Sequence, residues 1–290
     1  MEESSGMIVG ECRFCHATLK HRFIDAFFQS NGKMTDQGQF GDNGHSQIPT
    51  YVCQECFLIQ TSETSSLSDN QSYLSSFSST WLVDMNDYVD KIFKKFDLIG
   101  NSLSAELVDH RENSLPGTNK DHFFGSKNMH SLIDFYGKAD RIDCKSELAC
   151  VDDINDFMSG IKSFLKSDGI ATLEFLHLLP IMEAKHIQAS SIGSIPYFSF
   201  TTVDKMMKKY EMEIFNVEEC FPQGSLRIQV KHYENSVRKV ANNVLFIRGR
   251  ERDLGMSSLN HYTSLKNLAH PAKATLQQNR ISLEAVEKEN

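Results

Sequence analysis

The clearest pattern of apolar and polar positions lies between residues 139 and 177. Ile154, Phe157, Met158, Ile161, Phe164 and Leu165 recur at helical spacing, which predicts an amphipathic helix with one buried face. Ile170, Thr172 and their neighbours suit a buried strand, and the stretch from Ala139 to His177 reads in order as a strand, a crossing segment, this helix and the second strand, a βαβ unit. Asp152 and Asp153 stand where an N-cap belongs, Lys162 and Lys166 complement the C-terminal dipole, and Ser167-Asp168-Gly169 supplies a turn to stop the helix. Ligands of such a sheet sit beyond the carboxyl ends of its strands, which directs attention to 143–150 and 174–177.

The same reading predicts a helix over Met85, Tyr88, Val89, Ile92, Phe93 and Phe96, and a shorter one over Val203, Met206, Met207 and Tyr210. Residues 212–217 follow as a strand. Leu226, Ile228 and Val230 alternate with polar residues, predicting an antiparallel strand that closes the sheet as its edge. Helical pattern is intermittent over 237–268. The stretch 270–290 is polar and charged, either a helix with no face to bury or a disordered tail. Residues 32–46 read as a polar loop and 61–72 as a Ser/Thr connector.

Composition adds bounds. A chain of 290 residues, 40% hydrophobic and 23% charged, suffices for one large domain and a small accessory one. Its formal charge of −8 argues against nucleic acid as a partner, since phosphate-backbone binding needs clustered Lys and Arg. The first residues are acidic and lack a long apolar run, so neither a leader nor a membrane segment is expected, and a reducing, cytoplasmic setting is the default. There, seven cysteines are thiols or metal ligands more often than disulfides.

Cys12 and Cys15 form one C-x2-C pair, and Cys53 and Cys56 another. Each pair can present two thiolates to one tetrahedral ion, so a closed, structural zinc site is expected. Two disulfides or four independent thiols are the alternatives, and His16, His21 and His45 are nearby substitute ligands. Cys144 and Cys150 read as buried thiols.

Seven motifs occur here in the order seen in S-adenosylmethionine-dependent sugar C-methyltransferases. They are the paired C-x2-C, the YLSSFSSTWL segment beginning at Tyr73, Phe123-Phe124-Gly125, the helix from Asp153 to Gly169, Glu174-Phe175-Leu176-His177-Leu178-Leu179, Pro196-Tyr197-Phe198-Ser199-Phe200 and Gln223-Gly224-Ser225-Leu226-Arg227. The chain resembles that family's zinc-binding and central domains over roughly residues 10–255, without its further C-terminal domain. The resemblance implies an α/β fold, a Rossmann-like class I methyltransferase sheet beside a small N-terminal zinc-binding domain. It implies divisions at 1–72 (zinc domain and connector), 73–236 (methyltransferase-like domain) and 237–290 (extension).

It also implies S-adenosylmethionine as cofactor and a nucleotide-linked keto-deoxysugar as substrate. Glu106 matches the acid that opens the family's cofactor turn, but no glycine follows it over 107–113. Where related enzymes carry a Tyr-His-Glu-His catalytic cluster, this chain has Ser191-Ile192-Gly193-Ser194. Glu174 and His177 remain as candidate catalytic groups, and Tyr73, Ser76, Trp81 and Arg227 as candidate substrate contacts. Residues 145–150 read as a solvated loop at a strand exit. Two functions follow as expectations: an impaired methyltransferase-like protein that binds a protein partner, a homologous subunit or a nucleotide sugar, and an active sugar C-methyltransferase with a non-standard site.

Overall fold

A computed structural model describes residues 10–29, 45–61, 104–107, 126–144, 147–151, 153–183, 198–221 and 224–265. The chain divides into two compact units that do not follow chain order. One comprises 1–63, 178–201 and 250–290, the other 64–177 and 202–249.

In the first unit, strands β1 (His21–Gln29), β2 (His45–Val52) and β3 (Ile59–Thr61) form an antiparallel sheet in the order β1-β2-β3, with a bulge in β1 between Arg22 and Asp25. Its core is drawn from distant parts of the sequence. Phe23, Val52, Phe57 and Ile59 pack with Leu178, Leu179 and Met182, and with Met256 and Tyr262. The Tyr262 ring stacks on Phe57 at 5.8 Å and meets Phe23 edge-on at 6.1 Å, and its hydroxyl donates to the Met256 carbonyl at 2.9 Å. Each such aromatic contributes about 1.5–3 kcal/mol through burial, and the hydrogen bond removes the cost of burying the phenol.

In the second unit, five strands are described: β4 (Ser104–Leu107), β5 (Ala139–Cys144), β6 (Leu165–Leu176), β7 (Met212–Cys220) and β8 (Ser225–His232). Their order is β4-β5-β6-β8-β7, with β4, β5 and β6 mutually parallel and β8 antiparallel to both of its neighbours, so that β7 runs in the direction of the first three. The expected mixed α/β sheet is therefore present. The described helices in chain order are α1 (Ser126–Tyr136), α2 (Glu147–Cys150), α3 (Ile154–Phe164), α4 (Leu178–Glu183), α5 (Phe200–Lys209), α6 (Asn242–Asp253) and α7 (Leu259–Leu265), of which α4 and α7 belong to the first unit, as do the first two residues of α5 and the last four of α6.

Helix α3 fits its sequence closely. Asp153 caps it, accepting from the Asn155 and Asp156 amides at 2.8 and 2.9 Å, and Ile154, Phe157, Met158, Ile161 and Phe164 are buried. Three expectations need correction. The helix stops at Phe164, and Ser167-Asp168-Gly169 lies inside β6 at an irregularity in its pairing with β5. Gly169 is required there, because a Cβ would stand 2.9 Å from the Asp140 carbonyl oxygen. Strand β8 is antiparallel as predicted but interior, for the return strand β7 pairs outside it. Residues Glu147, Leu148 and Ala149 form a turn of buried helix instead of a solvated loop. The helix expected over 85–96 and the segment 270–290 lie outside the described residues, as do the expected loop 32–46 and connector 61–72 except for residues 45, 46 and 61, which belong to strands β2 and β3.

Glu251 of α6 is fully buried and serves the start of α5. Its carboxylate accepts from the Phe200 amide at 2.6 Å and from the Thr201 amide and hydroxyl at 2.7 and 2.6 Å. Glu251→Gln turns an acceptor into a donor facing donors, and a loss of about 2 kcal/mol is expected, read as a lower thermal midpoint. A second prediction concerns acid. Burial, with Lys162 nearby, holds the His232 imidazole below its ordinary value, while its Nε2 lies 3.1 Å from the Leu165 carbonyl. The unfolded chain takes up that proton first, so this stability is present above pH ~6.5 and lost as pH falls. Denaturant midpoints should drop on acidification, and less steeply in His232→Asn.

Candidate functional site

The two C-x2-C pairs fold into matching turns. The His16 amide donates to the Cys12 carbonyl and the Cys12 amide to the Ala17 carbonyl, both at 2.9 Å; Phe57 to Cys53 and Cys53 to Leu58 repeat the pair at 3.0 Å. The residue after each second cysteine is left-handed, with φ 61° at His16 and 64° at Phe57. Neither is glycine, so each turn carries backbone strain of about 1–3 kcal/mol.

The turns bring all four sulfurs within 4.8 Å of one another, with Cys12 to Cys56 at 3.5 Å and Cys15 to Cys53 at 3.4 Å. Four thiolates ~2.3 Å from a tetrahedral ion would lie roughly 3.8 Å apart, so the donor set fits one divalent metal. His16 and His21 do not join it: His21 is turned to Gln54, with Nε2 3.3 Å from the amide oxygen, and among the described residues the metal-competent cluster is the four cysteines. No disulfide links the six described cysteines.

Electrostatics favour a cation. Hydrogen bonds from Cys53 and then Cys56 hold the Cys12 thiol far below its usual range, while contact with Cys12 pushes Cys53 up to about 11 and Cys56 higher still. One thiolate thus keeps its neighbours protonated, and a dication bound there would displace those protons. Gln60, 5% exposed, supports the centre: its Nε2 donates to the Cys12 sulfur at 3.3 Å, and its Oε1 accepts from the Arg13 amide at 3.0 Å. The sequence pattern missed Gln60, although its place four residues after Cys56 was visible.

At the sheet, Glu174 and Arg227 are direct register partners on β6 and β8. Arg227 approaches Glu174 Oε2 at 2.9 Å through Nε and 2.7 Å through the other fork nitrogen, and the Ser225 hydroxyl donates to Oε1 at 2.5 Å. Glu218 of β7 lies 3.5 Å from the same guanidinium. Glu174 and Arg227 are 3% and 6% exposed and His177 1%, its amide donating to the Gly224 carbonyl at 3.1 Å.

On β5, Arg141 grips Asp143 through both carboxylate oxygens at 2.6 Å, with both side chains buried. Glu106 of β4 stands opposite Asp143 in register. Burial, followed by Glu147 and Asp143, pushes the Cys144 thiol up, which makes it a poor nucleophile. Tyr73, Ser76 and Trp81 lie outside the described residues.

Neither a family model nor a curated protein matches the chain. Solved structures do, weakly. A S-adenosylmethionine-dependent methyltransferase from Clostridium acetobutylicum is 11% identical, with a TM-score of 0.26; the match covers 33% of this chain and 58% of that one, less than two thirds of its length. One from Anabaena variabilis is 12% identical over 50% of this chain and 83% of that one, TM-score 0.33. The magnesium protoporphyrin IX methyltransferase of Synechocystis, solved with bound S-adenosylhomocysteine, is 13% identical over 52% and 84%, TM-score 0.33. Likeness of this degree carries no argument, and the architecture rests on the strand order itself. Among the described residues no helix is long and apolar enough to cross a membrane.

A closed four-sulfur centre predicts about one divalent ion per chain, released by acid as protons compete for the thiolates. Gln60→Ala should weaken the metal about tenfold or more, measured by competition with a chelator.

Proposed function

We propose that this protein is a methyltransferase-like scaffold without turnover, a binding subunit whose four-cysteine module carries one structural zinc. Cys12, Cys15, Cys53 and Cys56 would hold the ion through all four coordination positions, which leaves none for a reacting water or substrate. The ion's role is then to hold the module folded.

The engagement of Glu174 carries the reading. A general base or a ligand-holding carboxylate needs free lone pairs within reach of the reacting group. Glu174 gives one oxygen to Ser225 and the other to Arg227, deep within the sheet. Arg227, the candidate substrate contact, is committed to the same pair. The buried Arg141–Asp143 fork occupies the neighbouring strand end.

Chain length supports it too. Only 18 residues, 108 to 125, separate Leu107 of β4 from Ser126 of α1. Each crossover with its helix takes about 10–12 residues or more before its strand is counted, so this span is too short for two further strand–helix units. The order of three parallel strands followed by an antiparallel pair still favours a methyltransferase-like ancestry.

Calorimetry with S-adenosylmethionine tests the proposal on the zinc-loaded protein. No binding is expected at micromolar concentrations. Micromolar affinity would overturn it in favour of an active sugar C-methyltransferase using His177 as base.

A further inference from the structure

The four sulfurs of the cysteine cluster are not equivalent. Cys12, Cys53 and Cys56 are buried, whereas Cys15 is partly exposed and is followed by the exposed His16. Hydrogen bonding divides them in the same way. The Cys12 sulfur accepts from Gln60 Nε2 at 3.3 Å and from the Cys15 amide. The Cys53 sulfur accepts from the Glu55 amide at 3.4 Å and from the Cys56 amide, and the Cys56 sulfur from the Leu58 amide. Among the described residues no N–H group donates to the Cys15 sulfur, whose contact is the Cys53 sulfur at 3.4 Å.

Both differences act on reactivity in one direction. A thiolate that accepts N–H bonds shares its charge with them and is the weaker nucleophile, and a buried one is out of a reagent's reach. Cys15 has neither protection. It also has a second sulfur in contact with it, and a sulfenic acid beside a thiol condenses to a disulfide. Cys12 and Cys56 make the other close pair, at 3.5 Å, but both are buried.

We propose that Cys15 and Cys53 together form an oxidation site for hydrogen peroxide, through which the four-cysteine centre releases its ion. The Cys15 thiolate attacks one peroxide oxygen; the S–O bond forms, the O–O bond breaks and hydroxide leaves. The Cys53 thiolate then attacks the Cys15 sulfur; the S–S bond forms, the S–O bond breaks and a second hydroxide leaves. Two thiolates have lost two electrons, and the peroxide has been reduced to two hydroxide ions. Only Cys12 and Cys56 then remain as donors, half of the set that a closed tetrahedral site needs. The bridge joins turns 38 positions apart, so the module stays tied together once the metal has left. The inference rests on the zinc centre of the proposed reading and not on whether S-adenosylmethionine binds.

Two reactions of the zinc-loaded full chain test it, one with limiting N-ethylmaleimide and one with a single equivalent of hydrogen peroxide. Both are read by non-reducing peptide mapping, and the ion by a chromogenic chelator. Trypsin cuts after Arg13 and a glutamate-specific protease after Glu55, so the four cysteines fall on separate peptides. Cys15 should be alkylated about tenfold or more faster than Cys12, Cys53 or Cys56. Peroxide should join Cys15 to Cys53, with about one ion released per bridge. Even alkylation of the four sulfurs, a first bridge within either turn, or an ion retained after bridging overturns the proposal and leaves the zinc reading standing. A chain that binds no divalent ion overturns both.

Discussion

Four sulfurs must meet at one point, and the first unit is arranged around that requirement. The two cysteine turns are distant in sequence, yet each places its following residue in a left-handed conformation. At the second turn that residue is Phe57, whose ring lies flat against Tyr262. The geometry that aims the Cys56 sulfur therefore also sets the aromatic that the core is packed on. The four-cysteine cluster and the hydrophobic core are two consequences of one backbone turn, which suits a small three-stranded sheet with limited apolar surface of its own.

The second unit solves a different problem. Strand β8 buries Leu226, Ile228 and Val230 on one face and Ser225, Arg227, Gln229 and Lys231 on the other. Each buried charge there has a partner: Arg227 has Glu174, and Lys231 has Glu213 at 2.7 Å. Buried ion pairs of this kind add little net stability, because desolvation offsets most of the attraction. They do fix register. A slip of one residue would set Arg227 among Leu173 and Phe175 in place of Glu174, and leave a charge unpaired. Glu174 and Arg227, near the carboxyl end of β6, thus have structural work.

Much of this was legible in the chain itself. Helix α3, its Asp153 cap, the alternating strand β8 and the four-cysteine set all follow from local spacing, since periodicity and C-x2-C turns are properties of a few consecutive residues. The strand status of Ser167-Asp168-Gly169 was not legible, because a turn-rich tripeptide is held extended only by its closeness to β5. Nor was the interior place of β8, which depends on where β7 docks.

What the sequence determined was which residues are apolar, which could cap, and which could bind metal. Tertiary structure decided who meets whom: Gln60 with Cys12 across 48 positions, Glu174 with Arg227 across 53, Tyr262 with Phe57. Those pairings depend on loop closure and sheet order, which no local pattern encodes. They also decide whether a carboxylate is available or already engaged.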